Sequence, residues 1–531
     1  MSWQAVTGQS FWLLELQVAG AVHRFAEQAV TVDGFRYAAG LSSPTVGEAS
    51  QSNQSVPIEL VAQTDWAAIE AEGHTLERVP VKLKRYRQGQ AHLWIDGLAM
   101  GCAYAEAGQP LTFDLSAEAL AGDVEAIDPR QVIDATTHPN AVGPFELPDQ
   151  SVGNLYALIF GCPGHDPSYV SPRPAVPSYL VIRDTTASPP SLSDQMLIAG
   201  HRMHASTCEA WNLTTSSREQ QALNLQADLI GQRYTGHQWL GSSIYTDSAN
   251  SYAIGLQDDA TYGGGMPSPY TPGRPLRNAG EVVRWILEQV PGLAVDRGRL
   301  DSYAPWLNRF KVDAFITGPI DWLDYLESAI LAWLPVQTVN GPEGRYYAPV
   351  RWDLTRADVV AWIDADLREV QRVGSVKRLS QSVYNEITVN YRPRIGGGYY
   401  ATRTVTAVDG QLQRGTTFGT DPRIRGDYLA KRSQTIYGVR PLVVSLDQTW
   451  DDGTADEVAH QLLWRHAWHK RMVTYEGGPE LEALSVGDCV AVTESAVSLG
   501  QALARVVDIR PQRQTCSVDL VLLDNPIEAN S

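Results

Sequence analysis

The residues of this chain best suited to holding a metal lie in two short runs. Cys162 and His165 are three apart, and His201, His204 and Cys208 follow about 36 positions later. Thiolate and imidazole are what zinc prefers, and four such ligands can converge from two short segments. The plainer reading is that these are ordinary loop and strand residues, since no second tight Cys pair completes the pattern. His460, His466 and His469 are spaced by six and three, which puts at most two on one helical face; packing or solvated roles are the usual fate of such histidines. The acidic pairs Asp258-Asp259 and Asp451-Asp452 stand beside Gly- or Thr-rich turns, where carboxylates more often form the turn than catalyse. Ser, His and Asp are plentiful, yet none sits in a nucleophile elbow, and there is no His-Glu-x-x-His. The triple-Gly runs at 263–265 and 396–398 lack the Lys-Ser/Thr of a phosphate-cradling loop. Arg425-Gly426-Asp427 reads as a loop, and Asn53 and Asn212 match glycosylation acceptors only formally. These readings lead us to expect neither an enzyme nor a bound cofactor.

Composition bounds the rest. At roughly 100–200 residues per domain, 531 residues predict about three or four domains. Hydrophobic residues make up 44 % and charged residues 19 %, enough apolar surface to build cores. The 15 Trp and 22 Tyr outnumber the 9 Phe, which suits half-buried β surfaces and subunit contacts. The formal charge of −18 excludes a general nucleic-acid binder, which needs basic excess to release counterions. It reads first as solubility, and second as an acidic lumen past which DNA can slide. Five scattered cysteines, Cys102, Cys162, Cys208, Cys489 and Cys516, argue against a disulfide framework. The apolar run at 11–16 is short, contains Glu15 and follows no basic stretch, so no signal peptide is expected. No apolar window reaches 18 residues, so no membrane span is expected either.

Four segments emerge from the periodicities. Residues 1–125 alternate with period two, as in Trp12, Leu14, Leu16 and Val18, then Val81 and Leu83, then Leu111, Phe113 and Leu115; this predicts a β-barrel-like domain. Residues 126–215 carry eleven prolines, which disfavours long helices and central strands and predicts an irregular insertion or linking region. Residues 216–375 predict an α/β middle domain with helices opening at Asn278, near Asp321 and at Thr355. Residues 376–531 predict a second β-barrel-like domain with one helix, capped by Thr454 and Glu457. The expected fold class is thus α+β, predominantly β, with two small barrel-like domains, an α/β middle domain and an irregular insertion.

The C-terminal 150 residues carry a set of motifs in order: the run 384–391 (Y-N-E-I-T-V-N-Y), then 433–438 (S-Q-T-I-Y-G), the helix from Thr454, the run 481–490 (L-E-A-L-S-V-G-D-C-V) and a closing hairpin. This order resembles that of the hub proteins of long-tailed, siphophage-like bacteriophages, and 384–391 resembles the strand that opens their C-terminal β domain. The Val486-Gly487-Asp488 turn is similar to a Gly-Asp turn of hub domains. Upstream, 156–163 and 178–205 resemble a linking segment, and 278–352 a middle domain; residues 1–125 match less clearly. The resemblance implies a structural virion protein of the tail tip or baseplate hub, made in the bacterial host cytoplasm. It implies a homotrimer whose two barrels per chain form a pseudo-sixfold ring, joining the sixfold tail tube to a threefold tip and closing the DNA channel until genome ejection. The implied partners are distal tail or tube proteins, the tape-measure protein and central tip or fibre proteins, without sequence-specific nucleic-acid binding. Some hubs carry an iron–sulfur insertion, but only Cys162 and Cys208 fall in the corresponding region; others carry a fused cell-wall hydrolase, of which there is no catalytic signature. The competing readings are a virion-associated cell-wall hydrolase and a glycan- or receptor-binding tail protein.

Overall fold

The computed structural model describes residues 10–44, 55–116, 132–136, 143–164, 276–405 and 422–523, less single residues and short runs inside these spans; between 165 and 275 it describes seven short strands. The fold is α+β and predominantly β, as the residue patterns predict.

The first sheet contains β1 (Phe11–Val18), β2 (Ala21–Ala26), β3 (Val30–Val32), β4 (Phe35–Ala39), β5 (Ser55–Leu60), β6 (Pro80–Arg87), β7 (Gln90–Ala103) and β8 (Leu111–Ser116). Its order is β3-β4-β2-β1-β6-β7-β8-β5. The alternation read from the sequence is realised in register: Leu14 stands opposite Leu83 and Leu16 opposite Val81. β1 is buried on both faces. Trp12, Leu14 and Leu16 enter the main core, while Phe11 and Leu13 meet Val32 and Tyr37 on the other side. Trp12 meets Trp94 edge to face at 5.4 Å. Helix α1 (Trp66–Ala71) is capped by Asp65, whose carboxylate accepts from Ala68 N, and sends Trp66 into the same core. The segment after β4 closes the sheet on itself: Leu41 bridges Leu60, Ser42 N donates to Glu59 O and Val61 N donates to Gly40 O. An edge that pairs with its own chain is no longer open to a foreign strand.

The proline-rich stretch is less irregular than its composition suggests. After β9 (Phe145–Glu146) and β10 (Leu158–Phe160) come β11 (Val176–Pro177), β12 (Tyr179–Asp184), β13 (Gln195–Ala199), β14 (Glu209–Asn212), β15 (Ser217–Glu219), β16 (Thr235–Gln238) and β17 (Ser251–Ile254). They form two four-stranded sheets, β11-β17-β14-β15 and β16-β13-β12-β9. β12 and β13 are inner strands because each lies in a window free of proline, between Pro177 and Pro189 and after Pro190.

The middle helices are α2 (Ala279–Gln289), α3 (Arg297–Leu307) and α4 (Trp322–Tyr325), the last running into a π-helical turn, Leu326–Leu331. Strand β18 (Ala314–Ile316) pairs with β10, and β19 (Val336–Gly341) forms a hairpin with β20 (Gly344–Pro349). The apolar face of α2 is Val282, Val283, Ile286 and Leu287, as its periodicity predicts, and Trp285 meets Trp322 at 5.4 Å. Asn278 does not cap α2 with its side chain; its Oδ1 accepts from Lys311 Nζ at 2.5 Å. The helix expected from Thr355 is a correction. A capping box does form there, but only one 3-10 turn follows, Arg356–Asp358, before strand β21 (Val359–Asp364). The β-branched and aromatic run after Asp358 favours a strand, and β28 supplies its partner.

The remaining elements are β22 (Gln371–Arg372), β23 (Lys377–Arg378), β24 (Glu386–Pro393), β25 (Tyr399–Val405), α5 (Pro422–Tyr437), β26 (Pro441–Leu446), α6 (Asp452–His466), β27 (Arg471–Gly477), β28 (Cys489–Glu494), β29 (Leu499–Pro511) and β30 (Cys516–Leu522). Two helices therefore lie where one was expected, and Arg425-Gly426-Asp427 is helical rather than a loop. The cap of α6 is Asp451, three residues before Thr454, and accepts from Thr454 N at 2.7 Å. A curled seven-stranded sheet runs β21-β28-β29-β30-β27-β22, with β23 also on β27. Its core is Ile363, Tyr475, Val490, Val492, Val506, Val518 and Leu520 with their neighbours. The three-stranded sheet β25-β24-β26 and α6 instead share one core with α2, α3 and the π turn.

Candidate functional site

None of the metal candidates Cys162, His165, His201, His204 and Cys208 lies among the described residues. Asp258 and Asp259 lie outside them as well. Among the described residues, no group of three or more His, Cys, Asp and Glu stands close enough to hold a metal ion. No described helix is long and apolar enough to cross a membrane.

The acidic pair that is described has fixed positions and fixed partners. Asp451 is the cap of α6, and Asp452 accepts from Tyr391 Oη and from Arg392 Nη2, both at 2.6 Å. The other buried carboxylates are likewise engaged. Asp313 accepts from Arg277 Nε at 2.6 Å and from Trp450 N at 2.9 Å, and Glu457 accepts from Arg309 Nη2 at 2.8 Å. Glu494 accepts from Tyr475 Oη at 2.7 Å and from Arg372 Nε at 2.9 Å. Carboxylates held this way tie elements together. His460 binds the backbone of its own helix, with Nδ1 2.8 Å from Asp456 O, and His466 is half-buried against Tyr384. Burial, reinforced by the cation of Arg465, pushes His466 down to about 4.

What the structure builds with most care is a joint. Arg85 on β6 is fully buried, yet its Nη2 donates to Glu482 at 2.7 Å and to Gln512 O at 2.6 Å. Its guanidinium also lies 4.9 Å over the Trp12 ring, and Arg87 Nη1 donates to Glu482 O at 3.0 Å. One charged pair thereby fastens the closed N-terminal sheet to the 3-10 turn Pro479–Ala483 before β28 and to the residue after β29. Removing one partner of such a pair costs about 3–5 kcal/mol, because a buried charge is left uncompensated. No spacing rule finds this pair, since its members are 397 residues apart.

A second joint is the Val486-Gly487-Asp488 turn. Gly487 has φ +96°, and a Cβ there would stand 3.3 Å from Ala348 Cβ. Asp488 accepts from Ser485 N at 2.8 Å, Tyr303 Oη donates to Val486 O at 3.1 Å, and Arg299 Nη2 donates to Ser485 Oγ. The turn thus plugs the seven-stranded sheet onto α3 and β20. It is legible in the sequence as a turn, but α3, which receives it, was missed: Gly298, Pro305 and a weak apolar stripe hide that helix.

Beyond the joints, the seven-stranded sheet has a border that is unpartnered among the described residues. There β21 pairs with β28 on one side only, and Val360, Trp362 and Leu367 beside it are 57 %, 55 % and 68 % exposed. An apolar edge strand of this kind is a template for another chain.

No protein-family model matches the chain, and no curated protein matches it. Solved structures do. Three of them are a prophage tail protein, a bacterial tail protein and a chain of a phage baseplate. The 43 kDa tail protein of prophage MuSo2 from Shewanella oneidensis is 11 % identical, with 98 % of this chain and 100 % of that chain covered and a TM-score of 0.33. The tail protein from Neisseria meningitidis MC58 is 8 % identical, with 96 % of each chain covered and a TM-score of 0.38. A chain of the phage P2 baseplate in its activated conformation with Ca is 8 % identical, with 97 % and 100 % covered and a TM-score of 0.23.

Proposed function

We propose that this chain is a non-enzymatic structural protein of a phage virion, the hub at the tip or baseplate of the tail. The observation that carries the reading is the Arg85–Glu482 joint. It holds two curled β units of one chain in a fixed relation, so each chain offers two barrel-like surfaces to its neighbours. Three such chains would present six, which is what a match between a sixfold tube and a threefold tip requires. The residues that hint at chemistry serve the architecture instead: Asp451 caps a helix, Asp452 holds Arg392, and Glu494 holds Tyr475. The ordered likeness of residues 150–525 to hub proteins points the same way.

In this reading the partners are two further copies of the chain and the neighbouring tube, tape-measure and tip proteins. The open β21 edge serves contact between chains. The charge of −18 lets DNA pass the ring without sticking. The channel stays closed until ejection. The metal candidates Cys162, His165, His201, His204 and Cys208 remain a zinc proposal, checked by the metal content of the purified protein.

Light scattering with negative-stain imaging tests the hub. The expected result is a ring with three times the 58.2 kDa mass of one chain. A monomer at every concentration, together with cleavage of cell-wall glycan, would overturn the reading in favour of a virion-borne hydrolase.

A further inference from the structure

Five arginines are buried among the described residues, and four of them meet a carboxylate. Arg85 meets Glu482, Arg284 meets Glu288 and Asp301, Arg345 meets Glu327, and Arg392 meets Asp452. Arg505, on β29, is the exception. It is 4 % exposed, and its Nε and Nη1 have no acceptor. A buried cation without a counter-charge is costly unless something supplies one.

Its surroundings are cationic. Arg505 lies 5.4 Å over the Trp352 ring, and Lys470 Nζ lies 4.8 Å over the same ring. Arg465 is near enough to add to the effect of burial, and together they draw Arg505 down to about 10. Across the sheet, Arg378 stands directly opposite Arg471. Charge is segregated along the sequence as well. Residues 371–471 hold fifteen Lys and Arg against nine Asp and Glu, a net +6 within a chain of −18.

The indole Nε1 of Trp352 is also buried without an acceptor. Trp352 and Arg465 line a cavity of about 340 Å³ between α6, β26 and the π-helical turn, with Ser328, Ser445 and Gln461. Asp447 lines it too, at its exposed side, with Oδ1 accepting from Tyr399 Oη at 2.6 Å. The indole and guanidinium nitrogens only donate, so they call for an acceptor, while the unpaired Gln461 Oε1 in the lining would take the hydroxyl of a singly protonated phosphate. An ionised oxyanion is such an acceptor; a metal cation or an apolar molecule is not.

We propose that Arg465 and the indole N–H of Trp352, which line this cavity, form with Arg505, stacked on the Trp352 ring behind them, a binding site for an oxyanion of carboxylate or phosphate type. The site is independent of the hub reading. The oxyanion comes either free from solution or as the acidic side chain of another polypeptide.

Thermal unfolding of the full chain at constant ionic strength tests it, with inorganic phosphate or succinate replacing chloride. The expected result is a Tm rise of about 2–4 °C near saturation. In Arg505→Met the rise disappears, while the Tm in chloride equals or exceeds that of the natural chain because the unpaired charge is gone. Should Arg505→Met fail to fold, Trp352→Phe removes one donor and is expected to weaken phosphate binding about fivefold or more by calorimetry. A neutral peptide carrying one Glu separates the sources. If it displaces phosphate, a polypeptide carboxylate fills the site; if phosphate binds and the peptide does not compete, the ligand is a free anion. No Tm rise with either anion, or an equal rise in Arg505→Met, overturns the proposal.

Discussion

The two large sheets handle their borders in opposite ways. The N-terminal sheet folds the segment after β4 back against β5, so that Leu41 bridges Leu60 and the β5 border is consumed. The seven-stranded sheet ends on β21 with Val360 and Trp362 facing solvent. Both have dense apolar cores. The difference therefore lies in what each leaves for others, and not in how each holds itself together. A closed sheet is finished as a folded object, whereas an open one is a folded object with a vacancy for a neighbour.

The largest expected effect concerns whether the two units act as one body. Arg85→Leu strands Glu482 in the joint and is expected to lower stability by about 3–5 kcal/mol in urea unfolding, with much of the loss regained in the double variant Arg85→Leu/Glu482→Leu. A cost below about 1 kcal/mol would show that the closed and open sheets are merely neighbours. Next come the cores. Leu83→Ala in the closed sheet and Leu520→Ala in the open one are each expected to cost about 2–4 kcal/mol, because both side chains are fully buried. A markedly smaller cost at Leu520, read from denaturant midpoints, would mean that the open sheet tightens only on assembly.

Acid probes the region beside the open sheet. Burial lowers His466 to about 4, below the ordinary value near 6.5 of an unfolded chain. The folded state thus binds fewer protons, and the stabilisation is present above about pH 6.5 and lost as pH falls towards 4. His466 is half-buried, so screening reduces the effect to about 1–2 kcal/mol. His23 in the closed sheet shifts in the same direction, also through burial. Subtracting the pH profile of His466→Gln isolates the share of His466, and an unchanged profile would remove it. The smallest effect on folding is expected at the border itself. Trp362→Lys is expected to change monomer stability by less than about 0.5 kcal/mol, yet to impair association measured by sedimentation. Unaltered association would mean that β21 is not a contact.

Where period-two or helical alternation reached the surface of the sequence, the fold was legible. β1, β6 and β8 carry their core residues where the alternation places them, and the apolar face of α2 is the one its spacing predicts. Local signals misled where a partner decided the outcome. Thr355 and Asp358 do form a capping box, but β28 draws the next residues into a strand. α3 contains Pro305 and little amphipathic pattern, so only its packing reveals it. The joint was illegible for a different reason. Arg85 and Glu482 look like ordinary surface charges until the chain between them has folded. Arg505 was equally unremarkable in the sequence, because a missing counter-charge is a property of three-dimensional surroundings.

The pairing of β21 with β28 sets a condition on time as well as on shape. Val359 meets Cys489, so the chain must travel 130 residues before β21 acquires its partner. Over that interval α5, β26 and α6 can complete their own core with α2 and α3, while an apolar strand waits unpaired. Parallel pairing over such a span is slow, because the entropy of closing the loop is lost before contacts repay it. During synthesis, at roughly 5–20 residues per second, β21 would stand exposed for about 6–26 s before its partner has been made. The edge proposed to serve assembly in the finished protein is therefore also the place where a crowded, half-made chain is most exposed to capture by the wrong strand.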